Sequence, residues 1–513
     1  MSHRLCRRSV RRGVNGFFNQ AADVGPPRTK QVFVFPFSTV YRLALPGIFA
    51  SVIVGGIGMQ GTGMDTSRAE TDRHALSGPT AGSGPLARLI RNASVLLAGK
   101  SLNGILSLAY TALAARALGL EGLGLLVLIH AYTQTVGELA KFQSWQAVLR
   151  YGAVALNNND NPHIARILHV TIRLDVISAI LVVTLGSAAA WFAGPWFGWP
   201  RDIVPLAALY TLSAAFMVGG TPVGILRLFD RFDVLAFQST IGALIRLIGA
   251  ALLYGLGSGL KGFLAVWFLA TLTAGILLIR AAFRELRCRG VILAGTKPWR
   301  TPTEVHPDFW RFVWSTNLTA TVALASNQFA TLGVGLLLGP AAAGLYRVAR
   351  QFGDALAKPT RLLIPAIYPE LARLSARNDK AHLRRLVLQT VMLSAVSSLM
   401  VLVVLVLAGR PILVLIAGPP FAAGYPVMLL FGGAASVTLW SFPLEPLLMA
   451  MGRIWPALWT RVAGALTHAV LLIILVSSIG LSGAGWAAIA GALTGLIGLL
   501  LSTWLSLRKS SDP

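Results

Sequence analysis

The sequence predicts an all-α fold: a polytopic membrane protein of about twelve transmembrane helices, in two six-helix lobes around a central cavity. Three observations predict it. The 513 residues are 55% hydrophobic and only 12% charged, against about 25% charged in soluble domains, so the chain has too little polar surface to face water on all sides. From Asn92 onward, apolar segments of about 20 residues, the length that crosses a bilayer, recur with short breaks. Those breaks alternate between Arg/Lys-rich and cation-poor, as basic loops do when they stay on one side of a membrane. The formal charge of +25 would point to nucleic acid in a soluble protein. Here the cations lie in short interhelical loops, so orientation in a bilayer explains them and no nucleic-acid partner is expected.

Residues 1–90 differ from the rest and read as a basic, low-order extension. Arg4, Arg7, Arg8, Arg11, Arg12, Arg28 and Lys30 make its start basic. The apolar run Ala44–Met59 is short for a span. It follows a basic region, as in a signal peptide, but no small-residue cleavage site and soluble domain come after it. The polar, Gly/Pro/Ser-rich stretch beyond it reads as disordered. Met64 is a natural alternative start, which makes the extension an over-long reading frame. GIGMQG matches a dinucleotide fingerprint at Gly56, Gly58 and Gly61 but lacks a strand–turn–helix context, so it is a chance match. No cofactor or metal site is expected.

The spans follow in order, roughly 92–115, 121–142, 166–192, 203–224, 234–256, 260–282, 311–338, 341–366, 386–408, 424–448, 456–479 and 483–507. With both termini cytoplasmic, one side collects Arg68, Arg88, Lys141, Arg150, Arg227, Arg284, Arg300, Arg373, Arg385 and Arg508. The other side shows only Arg116, Arg201, Lys261 and Arg410, which supports that orientation. The longest polar break, 284–310, divides an N-terminal lobe, 91–283, from a C-terminal lobe, 311–513. Leu118-Gly119 and Gly124-Leu125 open the second segment, and Leu338-Gly339 and Gly344-Leu345 open the eighth. If that match is structural, the lobes are parallel repeats related by an axis along the membrane normal.

The eighth segment carries Arg347, Arg350, Asp354, Lys358 and Arg361 at spacings of three, four, four and three. At 100° per residue these fall within an arc of about 80°, opposite Leu345, Val348, Phe352 and Leu356. Arginine facing lipid near mid-bilayer costs a few kcal/mol, so the stripe must face protein or a wet cavity. Lys358 and Arg361 lie near the segment's end and read as ordinary anchors. Arg350 is placed to line a cavity, with an i+4 pair to Asp354 as the local alternative. The second segment repeats the stripe with His130, Gln134, Glu138 and Lys141. His130 could instead be a satisfied core histidine, and Glu138 with Lys141 a local i,i+3 pair. Lys100 in the first segment and Arg246 in the fifth are further embedded cations. The expected site is therefore a cationic cavity of Arg350, Arg347, Arg246, Lys100 and His130, with Glu138 or Asp354 as candidates for ion coupling. Such a cavity suits an anion, and arginine suits phosphate because its planar fork donates two hydrogen bonds at once.

ARALGLEGLGLLVL, GILRLFDRFDVLAFQSTIGALIRL and LGPAAAGLYRVARQFGDALAKPTRLLIPAIYPELARL carry a family resemblance. From about 91 to 507 the chain resembles the Wzx-type oligosaccharide flippases of polysaccharide biosynthesis, in the multidrug/oligosaccharidyl-lipid/polysaccharide exporter superfamily. That resemblance implies two six-helix lobes with a cationic cleft. It also implies transfer of an undecaprenyl-diphosphate-linked oligosaccharide across the bacterial inner membrane, for surface polysaccharide or lipopolysaccharide, in contact with membrane lipid and beside polysaccharide polymerase machinery. A multidrug exporter of the same superfamily is the first alternative, but a cation site wants carboxylates or aromatic cages, and Glu138 and Asp354 are outnumbered by nearby cations. A membrane polymerase or ligase is the second; it needs a large extramembrane loop with acid, base or metal ligands, and the outward loops are short. Translocation, not enzymatic bond making, is the expected activity.

Overall fold

The computed structural model describes residues 85–293, 306–361, 380–451 and 453–509. The expectations for Ala44–Met59, GIGMQG and Met64 lie outside the described residues.

Every regular element among the described residues is helical. In chain order these are α1 (Pro85–Ala140), α2 (Ser144–Asn157), α3 (Asn161–Ala193), α4 (Val204–Thr211), α5 (Ala215–Val218), α6 (Gly220–Leu228), α7 (Phe232–Gly255) and α8 (Leu260–Cys288). After the connection come α9 (Phe309–Leu338), α10 (Pro340–Arg361), α11 (Lys380–Ala417), α12 (Tyr425–Ser441), α13 (Leu444–Ala450), α14 (Ile454–Ile479) and α15 (Leu481–Lys509). Helix is what apolar runs must form in lipid, since no water is there to satisfy the backbone. Nine helical segments among the described residues are long and apolar enough to cross a bilayer. The first of them, Ser101–Ala140, contains a break at Gly119 and takes in two of the expected spans. The nine do not include α9 and α10, so they do not reproduce the expected count of twelve.

Two stretches depart from simple spans. Residues 203–224, expected as one helix, are divided among α4, a 3-10 turn at Leu212–Ala214, α5 and α6. Gly219 is extended there (φ −60°, ψ 94°) and Pro222 lies in the first turn of α6, where its missing N–H costs no helical hydrogen bond. The amphipathic α2 lies where a loop was expected; Ala147, Val148, Tyr151 and Ala155 are buried along one face. Asp175 fastens α2, α3 and α6 together, accepting from Ser144 Oγ at 2.7 Å and from the Thr221 backbone N–H at 2.7 Å. Glu285 on α8 binds Arg231 Nη1 at 2.6 Å and Arg289 Nε at 3.0 Å, fixing the turn into α7.

The repeated Leu-Gly pairs do the same backbone work in both halves. Gly119 has φ 67°, ψ −167° and Gly339 has φ 84°, ψ 177°. This region belongs essentially to glycine, and in both places it turns one helix sharply into the next. Five residues later the paired glycines bring the halves together. A Cβ on Gly124 would lie 1.8 Å from the Pro340 carbonyl oxygen. One on Gly344 would lie 2.7 Å from the Leu120 oxygen and 3.2 Å from the Gly124 nitrogen. The second leg of α1 and the start of α10 thus cross with backbones in contact, which any side chain there would prevent. A continuous core follows from that crossing, with Leu123, Leu126 and Ile129 packed in one cluster with Val334, Ala343 and Tyr346. Arg116 adds a polar tie at the same end, donating to the carbonyls of Leu415 and, at 3.1 Å, Ile416.

Candidate functional site

One turn past the glycine crossing, the junction between the halves becomes polar. Tyr110, His130 and Gln134 on α1, Trp267 on α8, Gln328 on α9 and Arg347 on α10 line a cavity of about 30 Å³. That is room for about one water. Gln328 Nε2 donates to Gln134 Oε1 at 2.6 Å, and Gln351 Nε2 donates to Ser107 Oγ at 3.0 Å; both bonds join the two halves. Ser107 Oγ in turn donates to Tyr110 Oη at 3.1 Å. His130 Nδ1 and Tyr210 Oη share a 2.7 Å hydrogen bond.

Two of the expected cations converge here. Arg246, on α7, donates from Nη2 to Thr271 Oγ1 at 3.1 Å. Its guanidinium carbon lies 5.8 Å from the Tyr110 ring centre and 5.9 Å from that of Trp267, within cation–π range. Its Nε is buried without a hydrogen-bond partner among the described residues. Arg347 lines the same cavity as Tyr110 and His130, so both cations face the Tyr110 side of the junction. Aromatic rings here accept the charge that a lipid environment would reject.

Arg350 lies elsewhere. It donates from Nη1 to Tyr346 Oη at 2.9 Å and lines a separate cavity of about 400 Å³ within the C-terminal half. That cavity is walled by α10, α12, α14 and α15, and also holds Glu445, Arg461 and His468. Residues three apart on a helix point about 60° from each other. A stripe that looks like one face in sequence thus serves two compartments once α10 has neighbours on both flanks. Glu138 pairs with Lys141 at 3.6 Å, the local i,i+3 contact. The side chains of Lys100 and Asp354 lie outside the described residues.

Outside the spans, His306 precedes α9 and stacks on Tyr151, with ring centres 4.4 Å apart. Its Nε2 lies 3.1 Å from His163 Nε2, on α3. Burial, then the charge of neighbouring His163, holds the His306 imidazole below its ordinary pKa.

Sequence reasoning missed the aromatic frame of Tyr110, Tyr210 and Trp267. Glu445 and His468, embedded polar residues to which the sequence assigns nothing beyond helix–helix hydrogen bonding, line the second cavity, where Glu445 meets Arg461 at 3.4 Å. An aromatic residue in an apolar span carries no periodic signal that separates a cavity wall from a lipid-facing ring.

Residues 89–375 match the model of a family described as polysaccharide biosynthesis protein. The Inner membrane protein YghQ of Escherichia coli (strain K12) is 31% identical over 342 residues, 67% of this chain and 96% of that protein. Among solved structures, the fold is similar to an inward-facing multidrug resistance transporter of the MATE family and MOP superfamily, with TM-score 0.65 and 14% identity over 82% of this chain and 100% of that one. It is also similar to the lipid II flippase MurJ in an inward closed conformation, with TM-score 0.60 and 14% identity over 80% of this chain and 87% of that one.

Proposed function

This chain belongs to the polysaccharide biosynthesis protein family, and from that premise we propose that it is a flippase for a lipid-diphosphate-linked oligosaccharide in a bacterial inner membrane. The observation that carries the reading is the pair of cations, Arg246 and Arg347, around Tyr110 and His130 at the membrane-embedded junction of the halves. Guanidinium groups there suit a diphosphate, which accepts bidentate hydrogen bonds while its lipid tail stays in the bilayer. Among the described residues, those lining that junction include no carboxylate, which disfavours an organic cation there. Both termini face the cytoplasm in this reading, which puts the glycine crossing on the outer side. The present state is then closed outward, and transport requires the halves to part there and exchange access. Polysaccharide polymerase machinery would take up the delivered glycan.

The test is a vesicle assay with the purified protein and a fluorescent polyprenyl-diphosphate-linked saccharide. Translocation that disappears in Arg347→Gln, with the variant inserted normally, supports the reading. Transport of an organic cation, with no movement of the lipid-linked sugar, would overturn it.

A further inference from the structure

The cavity inside the C-terminal half is much roomier than the junction. Its volume, about 400 Å³, falls within the range of small-molecule sites. Small residues make much of its wall, including Gly353, Ala435, Ala457 and Ala488; Phe431 supplies a little aromatic surface and Tyr346 backs the wall, fully buried. The polar groups are mixed in kind. Arg350, Arg461 and His468 can donate. Glu445 accepts, and so do three hydroxyls whose protons are already committed: Thr438 Oγ1 donates to the Ala434 carbonyl, Ser441 Oγ to that of Thr438 and Thr460 Oγ1 to that of Ala457, each at 2.9 Å. Those oxygens keep lone pairs to offer the cavity. His468 Nε2 is buried without a hydrogen-bond partner among the described residues, the kind of group whose partner a ligand supplies.

This inventory discriminates between ligand classes. A phosphate has only acceptors and would face three hydroxyl oxygens unmatched, beside a Glu445 carboxylate that already takes up Arg461 at 3.4 Å. An organic cation would meet two arginines. A saccharide presents hydroxyls that donate and accept, with apolar ring faces to set against aromatic surface. We infer that this cavity binds the glycan of the transported lipid, reading one or two sugar units about one turn along α10 from the phosphate site at the junction. The inference rests on the flippase reading above and adds to it a specificity site within one half.

Gly495 gives a clean way to fill the cavity. It lines the space, and a Cβ built on it meets no atom of the described residues within 4 Å. Neighbouring Gly491 is different: a Cβ there would sit 2.8 Å from the Gly464 oxygen, so that position serves helix packing. Gly495→Leu should therefore extend into the cavity, its Cβ directed away from the contact that Gly464 makes with Gly491. Thr438→Val is the second variant, nearly equal in shape but without the acceptor.

Binding is measured in nanodiscs with two probes, a bare polyprenyl diphosphate and the same lipid carrying a disaccharide. The wild type should bind the sugar-bearing probe at least about tenfold more tightly. Gly495→Leu should bind the two equally, and Thr438→Val should fall between. A wild type that does not discriminate, or variants that keep the full preference, would overturn the inference. Failure of the bare diphosphate to bind wild type would sink the lipid-diphosphate reading instead. The cavity is then judged with free disaccharides of hexoses, N-acetylhexosamines and uronic acids. Thermal stabilisation of wild type but not of Gly495→Leu upholds a saccharide site; stabilisation of neither protein, or of both, removes it.

Discussion

Replacing Gly124 by alanine would put a methyl carbon 1.8 Å from the Pro340 carbonyl oxygen. Ordinary contact between such atoms begins near 3.4 Å, so the helices must part locally by about 1.6 Å. The obstruction is backbone, not the free end of a side chain, and cannot rotate away. Overpacking of this kind costs about 1–3 kcal/mol, which corresponds to a shift of about 5- to 150-fold in a two-state equilibrium. The cost falls on the state in which the α1–α10 crossing is closed. The variant should therefore populate the state open at that end. A reporter cysteine at Thr331, which lines the junction cavity, reads this directly, with Cys6 and Cys288 replaced by serine. A membrane-impermeant maleimide added outside should label it at least about five times faster in the Gly124→Ala background. Gly344→Ala should act in the same direction but less, since its Cβ meets the Leu120 oxygen at 2.7 Å. Unchanged labelling in both variants, at normal levels of inserted protein, would refute the glycine crossing as the outer closure.

Removing Arg347 or Arg246 as Gln should cut lipid-linked sugar transport by at least about a hundredfold, because each loses a charge-assisted partner in a desolvated site; Lys at either position should recover part of it, read in the vesicle assay. Asp175→Ala should lower the melting temperature in detergent through a loss of about 1–3 kcal/mol, since both Ser144 Oγ and the Thr221 N–H lose their acceptor. The His306 imidazole is held below its ordinary value of 6.5, so the folded state binds its proton less readily than the unfolded chain. Its contribution to stability is present above about pH 6.5 and is lost as pH falls through the lowered value. Melting temperature should drop on acidification in wild type and less steeply in His306→Gln.

The helical class and most boundaries were legible because lipid leaves the backbone little choice; α7 and α8 begin and end within a few residues of their apolar runs, apart from the basic last turns of α8. The Gly119 and Gly339 turns were also legible, since glycine is what their backbone angles demand. The break at Gly219 was less so, because one extended residue before a proline-containing turn hardly changes the hydropathy of the stretch. Within the site, charge marked Arg246, Arg347 and Arg350 as embedded, but spacing along one helix could not assign them to compartments. That assignment depends on which helices pack against α10 on each flank. The second cavity was hidden for a related reason. Its walls include alanines and glycines, and a small residue on a helix gives the same sequence signal whether its Cβ direction meets a neighbour, as at Gly491, or open space, as at Gly495.

The helix α10 carries Gly344 at the crossing, Arg347 at the junction and Arg350 in the C-terminal cavity. Each lies about 4.5 Å along the axis from the one before. A helix is stiff over two turns, so a force on either arginine reaches the crossing without an intermediate path. The direction of the coupling follows from space. The junction now has room for about one water, so a diphosphate cannot bind there unless the surrounding helices separate. A ligand shifts a conformational equilibrium by its difference in affinity between states, and in this molecule that difference is set by exclusion: the closed form has almost no affinity to offer. In the proposed function, substrate at Arg347 would therefore favour parting of the walls that the Gly124–Gly344 contact holds together. On that proposal charge would supply the attraction and the glycines the closed distance, so the two features singled out on this helix would act on the same motion.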